Sequence, residues 1–401
     1  MSTGKILLAL AAVGASVVSA QSNSLCASAT ITVAAPAEAT IPCETVKGSI
    51  VFDASDALAG VINISGPQSV AGDLIIRNAT NINSLSSSTI ETIGGKFELT
   101  GLRSLSSLDF TALESVGEIS WISLTQLENV RFGSDGVTTV KTVRISDTFL
   151  SSLDSFSMVS VGTFQIDNNQ RLTTWETRMT SIGERLIVAD NSPDLEVSLP
   201  RLAWAANLDV RGVKSLSVPL LKAVNDSIQL TQNKAMESFI APNLTATGDD
   251  VSFRNNDNIS NISFPLLEKA GGSLTVQNNT NLASIDGFPK LRQVGGAVTM
   301  RGSFTNIELP SLDDVKGAFD VSSTEDINDD CAGFKSLAPK SSGGNGKIQG
   351  SFSCTSKNAN ANEGGKGGSN SSDKEDGAGF LGVNTPIILG VAALGALAQL
   401  L

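Results

Sequence analysis

The 401-residue chain contains no histidine and no tyrosine. Ser-His-Asp and Cys-His nucleophilic chemistry and histidine-ligated metal sites are therefore excluded. No Walker-type phosphate loop and no strand-coupled dinucleotide fingerprint occurs either. The groups left to do chemistry are carboxylates and guanidinia on short apolar-x-apolar segments. Glu98, Asp167, Asp209 and Asp320 take outward positions there, in repeat units 3, 6, 8 and 13, and Arg77, Arg144, Arg211, Arg254 and Arg301 share their face. A carboxylate pair acting on a glycosidic bond must stand roughly 5 to 9.5 Å apart. Units so far apart place these four beyond that reach, so a β-helical hydrolase or lyase is disfavoured. Arg254 and Arg301 lie two units apart with Gln277 between them, and their forked donors suit an anionic or hydroxyl-rich partner. Asp249-Asp250, Asp313-Asp314 and Asp329-Asp330 read as solvated turn charges rather than a calcium site. No cofactor, metal or small-molecule substrate is expected.

A repeat positions these residues. Val251-Ser-Phe253, Leu274-Thr-Val276 and Val298-Thr-Met300 open three successive units, which Pro265-Leu-Leu267, Pro289-Lys-Leu291 and Pro310-Ser-Leu312 close. The signature recurs from Ile50 through Leu74, Phe97, Ile122, Val143, Phe164, Leu186, Leu208 and Ile228 to Phe319, at spacings of 20 to 25 residues. A unit this short cannot bury its own apolar face and must stack on its neighbours. The expectation is a mainly β chain, a parallel solenoid of about 12 to 13 coils with short period-2 strands.

Other columns repeat within the units. Asn169, Asn191, Asn233, Asn256 and Asn279 stand five residues after the strand start. Asparagine tolerates a left-handed corner, and its amide can bond the next coil. Ile82, Leu172, Leu216, Met236, Ile259 and Leu282, then Leu85, Trp175, Phe239, Ile262 and Ile285, read as inward core of a second short strand. Pro200, Pro219, Pro242, Pro265, Pro289 and Pro310 mark corners, and Gly94-Gly95, Gly271-Gly272 and Gly295-Gly296 supply permissive backbone before the next strand.

The flanks differ from the array. Residues 1–20, with Lys5 before an apolar run and Val18-Ser-Ala20 as cleavage site, read as a signal peptide. Residues 21–48 read as an N-terminal cap, 49–330 as the array and 331–354 as a C-terminal cap. Cys26 with Cys43 and Cys331 with Cys354 are the economical disulfides of a secreted chain. Residues 355–376 read as a flexible polar stalk, and 377–401 as an apolar tail with no cationic residue after it, the pattern of a lipid-anchor signal. Asn370 and Gly377 both sit in small-residue surroundings as attachment points, and Asn370 is preferred. Sequons at Asn63, Asn78, Asn225, Asn243, Asn258, Asn261 and Asn278 read as glycan acceptors. A net charge of −12 argues against a nucleic-acid partner.

Taken in order, the signal segment, cysteine-bearing cap, units such as LTVQNNTNLASIDGFPKLRQVGG, second cysteine pair, stalk and tail resemble one known group. It is the fungal glycosylphosphatidylinositol-anchored cell-wall organisation proteins with receptor L-domain-like, leucine-rich-repeat-like units. The resemblance implies a right-handed parallel β-helix, glycosylated and held at the outer leaflet of the plasma membrane or in the wall. It also implies a role in wall organisation without enzymatic activity, with wall polysaccharide or wall proteins as partners. The competing expectation is a receptor-like ectodomain that binds a glycan or protein on its polar sheet face.

Overall fold

The computed structural model describes residues 24–53 and 58–362. The signal segment, the anchor tail, Asn370 and most of the proposed stalk lie outside the described residues. The chain divides into two units, 1–363 and 364–401, and only the first is described here.

That unit is a mainly β parallel solenoid of about 13 turns. Each coil offers one stretch of four or more residues to a common column, beginning with Thr30–Val33, Ser49–Phe52 and Leu74–Arg77 and ending with Phe319–Ser323 and Phe352–Thr355. Alternate residues point inward, so Leu208, Ile228, Val251, Leu274 and Val298 stack in register in the core while Asp209, Gln229, Ser252, Thr275 and Thr299 face outward. A second wall carries Thr174–Glu176, Ser238–Ile240 and Asn261–Ser263, with Trp175, Phe239 and Ile262 inward. A third wall consists of two-residue strands such as Ala223–Val224, Lys269–Ala270 and Gln293–Val294, too short to read from sequence. Burying each large apolar side chain contributes roughly 1.5 to 3 kcal/mol, and such residues fill the inward positions of the first two walls, while the third also takes Ala205, Thr247 and Ala270 inward.

Several expectations need correction. The column starts at Thr30–Val33, inside the expected cap, not at Ile50. In unit four the partner of Phe97 is Ile119, not Ile122, because Trp121 takes the second inward position and Ile122 pairs with outward Thr100. Leu216 is in register with Val197 and so with Trp175, one column later than expected, because that coil is short. The expected stalk begins late. Ala361 is buried, Asn358 Nδ2 donates to Ser322 Oγ at 2.8 Å, and Asn362 Nδ2 donates to Ser303 Oγ at 3.2 Å.

The corner after the column separates two roles that the sequence reading had merged. Left-handed backbone belongs to Asn78, Gly101, Ser123, Asp147, Asn168, Asp190, Gly212, Gln232, Asn255 and Asn278, one from each of ten successive coils. The buried asparagines follow one residue later. Asn256 is fully buried, its N–H and Nδ2 both donate to Asn279 Oδ1 at 3.0 Å, and Nδ2 also donates to Leu230 O at 3.0 Å. Its own Oδ1 accepts from the backbone N–H and Nδ2 of Asn233 at 2.9 and 3.0 Å. Asn169 and Asn191 repeat the arrangement. In the earlier coils the same position is apolar, at Ala79, Leu102 and Leu124.

The paired glycines are required by close approach rather than by unusual φ. A Cβ on Gly271 would lie 2.1 Å from Gly248 O, and one on Gly295 would lie 1.9 Å from Gly271 O. The Pro-x-Leu corners are turns in which the leucine N–H bonds back three residues, as from Leu267 to Phe264 O at 3.2 Å. Cys26–Cys43 and Cys331–Cys354 are bonded near the two ends of the array.

Asn256→Ala strands the buried backbone N–H of Asn233 and takes the Nδ2 donor from Leu230 O and Asn279 Oδ1, and each unsatisfied group costs about 1 to 3 kcal/mol. The urea midpoint of the full chain is expected to fall by at least one such increment. Asn255→Gly, at the left-handed position, is expected to leave it nearly unchanged.

Candidate functional site

The structure brings Arg254, Gln277 and Arg301 together as expected, in one outward line across three adjacent strands. It also shows how little of that line is free. Arg301 is tied to Asp320 in the next coil, with Nε at 3.2 Å and Nη2 in closer contact. Arg254 Nε donates to Ser252 Oγ at 3.2 Å on its own strand. Elsewhere on the face, Arg77 grips Glu98 through Nε at 2.5 Å and Nη2 at 2.7 Å. That hydrogen bonding holds the Glu98 carboxyl below the usual carboxylate range. Asp167 accepts from Ser146 Oγ and from Gln165 Nε2. The outward carboxylates Glu98, Asp167 and Asp320 therefore bind groups of neighbouring coils, while Arg144 and Arg254 make no ion pair among the described residues.

Asp209 is the exception. Burial raises its carboxyl above the ordinary range, and Arg211 and Arg185 oppose that only in part. Arg211 spends its Nη2 on Asp190 at 2.6 Å. Glu98, Asp209 and Asp320 share one column, with Glu98 and Asp209 five strands apart, or about 24 Å at the spacing of paired strands. The acidic pairs serve the fold: Asp250 Oδ1 accepts from Ser273 N at 2.6 Å, Asp313 pairs with Lys347, and Asp314 with Lys316. Among the described residues no group of three or more acidic or cysteine side chains is placed to hold a metal.

Of the glycan acceptors, Asn63, Asn78, Asn225, Asn258 and Asn261 are exposed, while Asn243 and Asn278 are half-buried. Asn243 donates its Nδ2 to Pro219 O at 2.7 Å, across to the previous coil.

Sequence reasoning missed a groove in the second wall. The ladder of that wall ends at Asn129–Phe132 and resumes at Thr174–Glu176. Between them the coil through Leu153 and Phe156 forms no strand in this wall and meets the preceding coil there through the bridge Val137 to Phe156 and through Ser155 Oγ, which donates to Val130 O at 2.8 Å. The preceding coil loops out at Gly133-Ser-Asp-Gly136, where Gly136 has φ +69° and bonds back to Gly133 O at 2.9 Å. The gap is a cavity of about 670 Å³ lined by Ser134, Asp135, Asp154, Glu176, Thr177 and Arg178. Beside it lies a second, of about 290 Å³, which also touches Asp154. Arg171 reaches over the gap to Glu128 Oε1 at 2.9 Å and lies 4.2 Å above the Phe149 ring. The only sequence signal was the Asp-Gly in an overlong turn.

With the geometry in place, comparison with known proteins is informative. The chain is 34% identical over 324 residues to sporulation-specific protein 2 of Saccharomyces cerevisiae, covering 80% of this chain and 63% of that protein. It is 34% identical over 352 residues to the cell surface GPI-anchored protein ECM33 of Candida albicans, covering 82% of this chain and 77% of the relative. The chain belongs to this fungal family. Cell wall mannoprotein PST1 of Saccharomyces cerevisiae is a further relative, 29% identical over 314 residues, 78% of this chain and 68% of its own. The match spans less than two thirds of the sporulation-specific relative's length. No protein-family model and no solved structure matches the chain.

Because Asp209 is harder to ionise when folded, it opposes folding above its folded pKa, and this effect vanishes below the unfolded carboxylate range near about pH 4. Asp209→Asn is expected to raise the urea midpoint at pH 7. The gap from the parent should close steadily as pH falls towards 4.

Proposed function

We propose that the protein is a non-enzymatic, lipid-anchored surface glycoprotein that supports organisation and integrity of the fungal cell wall. The observation that carries this reading is the 34% identity to the Candida albicans cell surface GPI-anchored protein across 82% of the chain. The structure supports it by the use it makes of polar groups. The outward carboxylates described above are mostly spent between coils, and the sheet face beside them presents Gln229 and Thr299, with Ser252 and Thr275 buried among their neighbours, a surface suited to weak hydrogen bonds. The membrane is reached through a glycosylphosphatidylinositol lipid attached at Asn370, the apolar tail of residues 377–401 being removed on attachment, and the wall through contacts of the body. A receptor-like reading on Arg254, Gln277 and Arg301 has less support, because Arg301 is already neutralised by Asp320.

The test expresses the full chain in a fungal host and treats the cell fraction with phosphatidylinositol-specific phospholipase C or, separately, β-glucanase. Release by either enzyme is the expected result. Resistance to both, with extraction by detergent alone, would mean that the tail is a membrane helix and would sink the anchored-wall reading.

A further inference from the structure

We propose that the groove in the second wall is a binding site for an uncharged oligosaccharide. Three successive coils line it: Ser134, Asp135 and Thr138 from the first, Asp154, Phe156 and Ser157 from the second, and Glu176, Thr177 and Arg178 from the third. Eight ion pairs tie charges together elsewhere on the described surface and two, Arg171–Glu128 and Arg131–Asp109, border the second cavity, yet the side chains of Asp135, Asp154, Glu176 and Arg178 make no ion pair or hydrogen bond among the described residues. Thr177 supplies an independent observation. Its side chain is 5% exposed, and its Oγ1 accepts from Met179 N at 3.3 Å, but its hydroxyl hydrogen has no acceptor among the described residues. A buried donor left unspent beside a cavity calls for an acceptor from outside.

The unspent groups define the ligand. Three carboxylates accept only, a guanidinium donates only, and hydroxyls do both. Sugar hydroxyls, each a donor and an acceptor, satisfy such a mixture. An anionic glycan is repelled by the excess of carboxylates, and a bare cation finds no cluster of acidic groups to hold it. The floor is rigid, because Phe156 is wedged against Trp121, Phe132 and Phe164 at ring separations of 5.8, 5.5 and 6.4 Å. Cavities of about 670 and 290 Å³ that share Asp154 give room for more than one sugar ring. The chain's own glycans leave the groove open: no sequon lies between Asn78 and Asn225, and the groove falls midway along that stretch. The proposal rests on the groove alone and stands apart from the mode of anchoring.

The experiment titrates the full chain, purified from a fungal host, with hexasaccharides of glucose, mannose and N-acetylglucosamine, and with the cationic hexamer of glucosamine, by isothermal calorimetry. Saturable binding of at least one uncharged hexamer is expected. Asp154→Asn combined with Glu176→Gln should weaken it about tenfold or more, as loss of two charged acceptors requires. Arg178→Ala serves as a second lesion if the double variant fails to fold, and Arg254→Ala on the sheet face should change nothing. The proposal is overturned if no uncharged hexamer saturates, if the folded variants bind as the parent does, or if only the glucosamine hexamer binds. Release of the anchored protein by phospholipase is unaffected by any of these substitutions, so failure here is distinguishable from failure of the anchoring reading.

Discussion

The constraint on which the structure depends is that no coil can satisfy its own backbone. A coil of 20 to 25 residues contains no internal ladder, so the parallel bonds of all three walls run to the coils on either side. The buried asparagines carry the same logic into a side chain. A single amide sealed in that corner would cost several kcal/mol. Within a run, Asn256 Oδ1 takes two donors from the preceding coil, and Asn256 Nδ2 reaches a backbone oxygen there as well as the next asparagine. The column is favourable only as a column. Its ends show this: Thr148 donates both N and Oγ1 to Asn169, and the backbone N of Val213 donates to Asn233.

The earlier coils solve the same corner differently. Ala79, Leu102 and Leu124 fill it with apolar volume, and the left-handed residue before each does the turning. One backbone path is thus kept across ten coils while its filling changes from apolar to amide.

Much of this was legible in the sequence because stacking makes each coil a copy of its neighbour. The inward columns from Val143 to Phe319 could be aligned from side chains alone, since burial leaves little freedom of residue type. The exceptions are physical. Trp121 disguised an inward position, which shifted the fourth unit from Ile119 to Ile122. The two-residue third wall has too few residues to show a period. The glycine pairs were recognised but misassigned: their φ values are ordinary, and what excludes a side chain is the carbonyl of the coil below. The outward arginines were found in the right line, but nothing in the sequence says that Arg77 and Arg301 are already spent on Glu98 and Asp320. The groove was invisible because it arises where the repeat fails, at a ladder interrupted between Asn129–Phe132 and Thr174–Glu176.

The direction of the interstrand bonds has a mechanical consequence. They run from coil to coil along the stack, so tension applied at the two ends of the array loads them one coil at a time, as in unzipping, rather than all together in shear. Each coil that peels away frees some 23 residues, about 80 Å of extended chain, and leaves the next intact. The disulfides sit where peeling would begin: Cys331–Cys354 ties the helix Asn328–Lys335 to the last strand, and Cys26 is tied to Cys43 beside the first. A stack built in this way yields stepwise under load and is guarded at both points of entry.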